Sequence, residues 1–330
     1  MEEKRTSINA VDSFKCFLFS LIIPILFSAI YSFLVLVLSI IFKIDYEVFT
    51  EHWLVKGFMW ILNSLAFLSV YLYYVKKMKV DFNKEINIKS NYNIASIAIV
   101  IGLALILTFG FTNFINLTTH LFSLIGFNPS GDLPLKLNNV PNMLISMVLW
   151  AVVPAICEEL LYRGLIFNGL KNSFKAPYAI LIGGALFMLM HGSLQQTIYQ
   201  FILGCVICTV YYYTKNIFYP ILLHFLNNAI AILTTYLQNV TNIDINVAFT
   251  NAWSYIWPIL LMIVSSACAV GLIYVLKLSN KNKYQHIDET EHQVFTKEEK
   301  INLNIWWIIS VVFGVLLWIV NTVGYWIGLA

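Results

Sequence analysis

The chain has 330 residues, 59% of them hydrophobic and only 11% charged, with a mean hydropathy of +0.77. A soluble domain carries about 25% charged residues, so the composition excludes an ordinary soluble enzyme and points to a polytopic membrane protein. The formal net charge of +3 is small, and the basic residues sit in short loops beside hydrophobic runs. That placement argues against nucleic-acid binding and follows the positive-inside rule.

Taken in order, the hydropathy predicts an all-α transmembrane bundle of about nine helices. A polar tail, 1–15, precedes a first span at 16–42 that contains no Asp, Glu, Lys, Arg or His. That span is too long for a removable signal and is not closed by a small-residue cleavage site. The second span is 57–75. The most basic loop follows, with Lys76, Lys77, Lys79, Lys84 and Lys89, and it predicts a cytoplasmic N-terminus. The third span is 94–119, and a Pro, Gly and Asn loop at 126–141 lies on the outer side. The fourth span, 142–170, ends near Lys171 and Lys175. The fifth is 176–191, broken by Gly192 and Ser193. The sixth is 194–213, the seventh 217–237, the eighth 253–275 and the ninth 305–330. A charged linker at 277–303 reads as solvated and cytoplasmic. Three regions result: 1–141 with the first three helices and the outer loop, a core at 142–237 with helices four to seven, and 238–330 with the last two helices and the linker. Trp253, Trp257, Trp306 and Trp307 near span ends read as interfacial anchors. Five cysteines, mostly inside spans, argue against a disulfide framework, and Cys205 with Cys208 reads as a pair of small buried apolar residues. No internal repeat is visible, which weighs against an inverted-repeat transporter.

Within those spans Asp, Glu, Lys, Arg or His occurs at five positions: Glu158, Glu159, Arg163, His191 and His224. All lie on helices four, five and seven. An ionisable group at bilayer depth costs about 2.5–3.5 kcal/mol on insertion scales, so such a cluster marks function by default. Glu159 and Arg163 are four apart and share a helix face, where they can pair. Glu158 points about 100° away and is left as an unpaired carboxylate available for chemistry. His224 and Asn228 also share a face, Asn227 is expected to pack or cap, and Phe187 one turn before His191 is placed to wall the pocket.

One carboxylate, two imidazoles and an amide suit hydrolysis of a peptide bond. Glu or His would take a proton from water, and His224 with Asn228 would donate to the oxyanion. The same atoms are also the donor types of a catalytic Zn2+ site built from Glu158, His191 and His224. Cys157 offers a third arrangement, a thiol nucleophile, although it faces about 100° away from Glu158. A non-catalytic membrane scaffold and an ion-coupled transporter are the competing classes.

Glu158-Glu159-x-x-x-Arg163, Phe187-x-x-x-His191 and His224-x-x-x-Asn228, in that order on separate helices, resemble the CPBP family of intramembrane proteases. That family includes CAAX prenyl endopeptidases of the Rce1 type and bacterial Abi proteins. The resemblance covers roughly 142–237. It implies that Glu158 and His191 activate water, that His224 and Asn228 stabilise the oxyanion, and that Glu159 with Arg163 holds the helix in place. It leaves the choice between a glutamate-dependent and a metal-dependent mechanism open, and with it Zn2+ as cofactor. The partners implied are the lipid bilayer and a membrane-associated peptide or protein substrate. The short N-terminal tail and the lack of an organelle signal lead to the expectation of a multi-pass plasma membrane protein.

Overall fold

A computed structural model of the chain describes residues 8–78, 92–127, 135–243, 249–284 and 296–326. Among the described residues there is no strand, and nine long helices follow in order: α1 (Ala10–Phe42), α2 (Trp53–Met78), α3 (Ile94–Ser123), α4 (Val140–Ser173), α5 (Ala176–His191), α6 (Thr197–Thr214), α7 (Phe218–Thr241), α8 (Ala252–Ser279) and α9 (Lys297–Trp326). Eight of them are long and apolar enough to cross a membrane, and α5 is the shorter one. The chain is therefore the all-α, multi-pass membrane bundle that its hydropathy predicts.

Several helices outrun the expected spans because polar residues cap them. Helix α1 starts at Ala10 rather than residue 16, since Asn9 and Asp12 form a reciprocal capping box. Helix α3 continues past Thr119 and takes in His120, whose Nε2 lies 3.2 Å from the Tyr255 hydroxyl of α8. Both ends of the expected linker are helical, in the end of α8, a short turn at Lys281–Tyr284 and the start of α9. Its residues 285–295 lie outside the described residues. So do 1–7 of the expected tail, 79–91 of the basic loop, 128–134 of the outer loop, and 244–248 and 327–330.

Helix α4 is continuous but not uniformly α-helical. Its central turn, Val153–Leu161, lies between two π-helical stretches, Val148–Val152 and Tyr162–Phe167. Wider π turns loosen the regular hydrogen-bond ladder, and side chains of α1 and of α4 itself donate to carbonyls there. The Ser13 hydroxyl of α1 donates to the Ile166 carbonyl at 2.7 Å, and Asn168 donates to the Gly164 carbonyl at 2.9 Å. The Ala10 amide donates to the Ser173 hydroxyl at 2.8 Å, and Asn172 donates to the Ile8 carbonyl at 3.0 Å. The first half of α1 is thereby buried against α4. Its second half turns large apolar side chains such as Ile30, Phe33 and Ile40 outward, as a lipid-facing helix does.

Helices α5 and α6 form a short hairpin. With 16 residues, α5 reaches about 24 Å, short of the roughly 30 Å hydrocarbon layer. It stops at Gly192, whose φ of 59° is left-handed and suits a residue without Cβ. The two helices approach closely at Gly184 and Gly204. A Cβ on Gly204 would come within 3.0 Å of the Gly184 Cα and 3.1 Å of the Phe187 Cβ, neither of which can swing aside. This small-residue contact is typical of helix pairs in lipid.

Gly204→Ala is therefore expected to push α6 away from α5 and destabilise the fold by about 1–3 kcal/mol, the usual cost of overpacking. Thermal unfolding of the purified protein in detergent measures this, and an unchanged midpoint would show that the contact is slack.

Candidate functional site

The site begins with Glu159, which is fully buried along with Arg163 and His224 at 0, 1 and 3% exposure. One oxygen, Glu159 Oε1, accepts from Arg163 Nη1 at 2.8 Å and lies 2.7 Å from His224 Nδ1. The i,i+4 spacing on α4 delivers the first contact, and packing of α7 against α4 delivers the second. Arg163 then reaches a third helix, with Nη2 donating to the Gly204 carbonyl of α6 at 3.2 Å. Its guanidinium lies over the Phe187 ring of α5, 4.6 Å from the centroid, a cation–π contact that is stronger away from water.

Phe187 is fully buried and stands among the other groups. Its ring centroid is 4.4 Å from that of His191, 5.9 Å from that of His224 and 5.6 Å from that of Tyr162. Its backbone carbonyl lies 2.9 Å from His191 Nδ1. A carbonyl oxygen can only accept, so Nδ1 carries the proton and Nε2 of the neutral ring is left as an acceptor. The last turn of α5, before the Gly192 break, thus sets both the position and the tautomer of His191.

Glu158 differs from its neighbour. It is 9% exposed, and its Oε2 is buried without a hydrogen-bond partner. Most buried polar atoms are paired, so an orphaned carboxylate oxygen calls for an explanation, and a catalytic role is one of the standard ones. Glu159 Oε2 and Arg163 Nε also lack partners, but each belongs to a group whose charge is met at another atom.

Asn228 lies one turn beyond His224. Its Nδ2 donates to the Trp150 carbonyl at 3.0 Å, and its Oδ1 accepts from Asn227 Nδ2 at 3.2 Å. Asn227 is buried in mid-helix, where it packs rather than caps an end. Its Oδ1 accepts from the Tyr199 hydroxyl of α6 and from the Thr108 hydroxyl of α3, the latter at 3.2 Å. Tyr199, Thr108 and the Trp150 carbonyl were not picked out from the sequence. A local signal was present for one of them: Pro154 has no N–H to donate to the carbonyl four residues back.

Cys157 is buried among apolar neighbours. Cys205 and Cys208 are free thiols, half-buried and buried respectively. Glu158, His191 and His224 supply the donor types of a zinc site, but among the described residues no three His, Cys, Asp or Glu side chains are grouped so as to hold a metal ion. No step below is routed through a metal.

A multi-pass helical membrane protein with carboxylate, guanidinium and imidazole groups buried at the meeting of four helices is thus defined. Residues 140–230 match the family described as type II CAAX prenyl endopeptidase Rce1-like. The match begins at the first residue of α4 and ends just past Asn228, so it contains Glu158, Glu159, Arg163, Phe187, His191, His224 and Asn228 and supports a CPBP-type intramembrane protease. No curated protein and no solved structure matches the chain.

Removing the guanidinium would leave Glu159 buried with only His224 to meet its charge. Arg163→Ala is expected to destabilise the protein by about 3–5 kcal/mol. Arg163→Lys is expected to rescue little of this, because an ammonium cannot serve a carboxylate, a carbonyl and a ring face together. Detergent melts of both variants check this, and a wild-type midpoint for either would remove the ion pair from its structural place.

Proposed function

We propose that the protein is an intramembrane endopeptidase that hydrolyses a peptide bond in a membrane-associated peptide or protein, using water activated by Glu158 and His191. The observation that carries this reading is the contrast between two adjacent buried carboxylates. Glu159 is compensated by Arg163 and His224, whereas Glu158 keeps an oxygen with no partner. A carboxylate free of an ion pair is the one able to accept a proton.

In the proposed reaction a water oxygen attacks the scissile carbonyl carbon while its proton passes to Glu158, with His191 Nε2 as the second acceptor. The carbonyl oxygen becomes an oxyanion. His224 acts as the imidazolium, donating through Nδ1 to Glu159 and through Nε2 to the oxyanion, and Asn228 offers the amide N–H not engaged by Trp150. Fixed donors of this kind serve best in a water-poor site, where they need no reorganisation during reaction. The tetrahedral species collapses, the C–N bond breaks, and the proton returns to the leaving amine. Glu159, Arg163 and Phe187 hold the donors in place.

The protein is read as a plasma membrane protein, and its charge distribution supports a cytoplasmic N-terminus. Lys76 and Lys77, Lys171 and Lys175, Lys215, and Lys277 and Lys281 all fall at the helix ends that share the side of the α1 N-terminus.

The test uses purified full-length protein in liposomes with two quenched-fluorescent probes, a prenylated CAAX peptide and a bilayer-anchored peptide without the prenyl group. Glu158→Gln is expected to lower kcat on the cleaved probe by about 10²–10⁴-fold, the usual contribution of a general base, with little change in thermal midpoint. Equal cleavage by wild type and variant would refute the assignment. Dialysis against a chelator is expected to leave cleavage intact. Loss of activity restored by zinc alone would instead make Glu158, His191 and His224 metal ligands.

A further inference from the structure

We propose that Asn227, backed by Tyr199 and Thr108, is a positioning residue that locks the Asn228 amide in the orientation the Trp150 carbonyl sets. The inference rests on the peptidase reading above, in which the Asn228 amide is a donor to the oxyanion.

A primary amide has a donor end and an acceptor end of nearly equal shape, so a lone Asn at a reaction centre can turn either way. Here the surroundings decide. The chain of contacts starts at the Trp150 carbonyl, which a regular α-helix would satisfy through the amide of residue 154. That residue is Pro154, which has no N–H. The oxygen accepts from Asn228 Nδ2 at 3.0 Å.

A carbonyl cannot donate, so the nitrogen of Asn228 must face Trp150 and its oxygen must face Asn227. Asn227 meets that oxygen with Nδ2 at 3.2 Å, which turns its own Oδ1 toward Tyr199 and Thr108, both of which donate to it. Each link dictates the next, and the obligate acceptor at one end sets the polarity of the whole run. The result is that one N–H of Asn228 is held on Trp150 while the other keeps a fixed direction. Tyr199 is itself steadied by Phe111, with ring centroids 5.4 Å apart. Thr108 and Phe111 lie on α3, outside the segment that matches the Rce1-like family. A helix beyond the matched core therefore takes part in orienting a residue within it.

Asn227→Asp separates the links. The introduced carboxylate still accepts from Tyr199 and Thr108, but it has no donor for Asn228 Oδ1, and it attracts the Asn228 nitrogen away from Trp150. Tyr199→Phe removes one supporting hydroxyl without adding charge, and it reads the same relay where the charged variant fails to fold. Kinetics are measured on purified full-length protein in liposomes with the prenylated CAAX probe, each variant alone and combined with Asn228→Ala. Asn227→Asp is expected to lower kcat about 3- to 10-fold, the size of one hydrogen bond, with KM unchanged, and Tyr199→Phe to do the same more weakly. In the Asn228→Ala background neither is expected to cost anything further, because their effect passes through that amide. The same fold-loss in both backgrounds, or a fall in thermal midpoint with kcat intact, overturns the relay. An unchanged kcat in Asn228→Ala itself overturns the oxyanion role and the relay with it.

Discussion

The structure turns on one carboxylate oxygen. Glu159 Oε1 takes hydrogen bonds from its own helix through Arg163 and from α7 through His224. Arg163 carries the connection on to the Gly204 carbonyl of α6 and the Phe187 face of α5. Four helices are thus tied to a single buried charge. A buried ion pair adds little net stability over an apolar replacement, because desolvation offsets attraction. What it supplies here is direction: each partner has one geometry that leaves no charge unmet.

Three pairs of residues spaced four apart meet at the junction, and each uses the shared helix face differently. Glu159 and Arg163 form an ion pair along α4. On α5 the pairing runs from side chain to backbone, with His191 bonded to the Phe187 carbonyl. His224 and Asn228 reach α4 at two levels, Glu159 and the Trp150 carbonyl. A common spacing therefore serves three kinds of contact, and what unites them is only that one turn of helix separates two groups on one side.

Departures from regular helix lie where the site needs them. The π turns on either side of the Glu158 and Glu159 turn, the proline at 154 and the left-handed end at Gly192 each release or redirect a backbone group. In a bilayer a released carbonyl must find another donor. The donors are Asn228 at Trp150, Ser13 at Ile166 and Asn168 at Gly164. The irregular backbone and the polar side chains near it are two aspects of one arrangement. Helices α1, α8 and α9 stand at the rim with long apolar outward faces, and the first turns of α1 are held by polar contacts to α4.

The sequence alone determined the class of fold, the helix count and the short set of ionisable positions. Apolar runs of spanning length and the cost of charge in lipid act on each segment separately, so they can be read without knowing which helices touch. Spacing of four likewise determined that Glu159 and Arg163 face each other. Tertiary packing decided the rest. That His224 shares the oxygen already used by Arg163, that Arg163 ends on a Gly204 carbonyl brought near by two glycines, and that Asn227 bonds to α3 and α6 all depend on distances between helices. Those distances follow from how side-chain surfaces fit together, and no single helix carries that information. The mid-helix polarity of Asn227 could be read, but its partners lay on chains of residues 28 and 119 positions away.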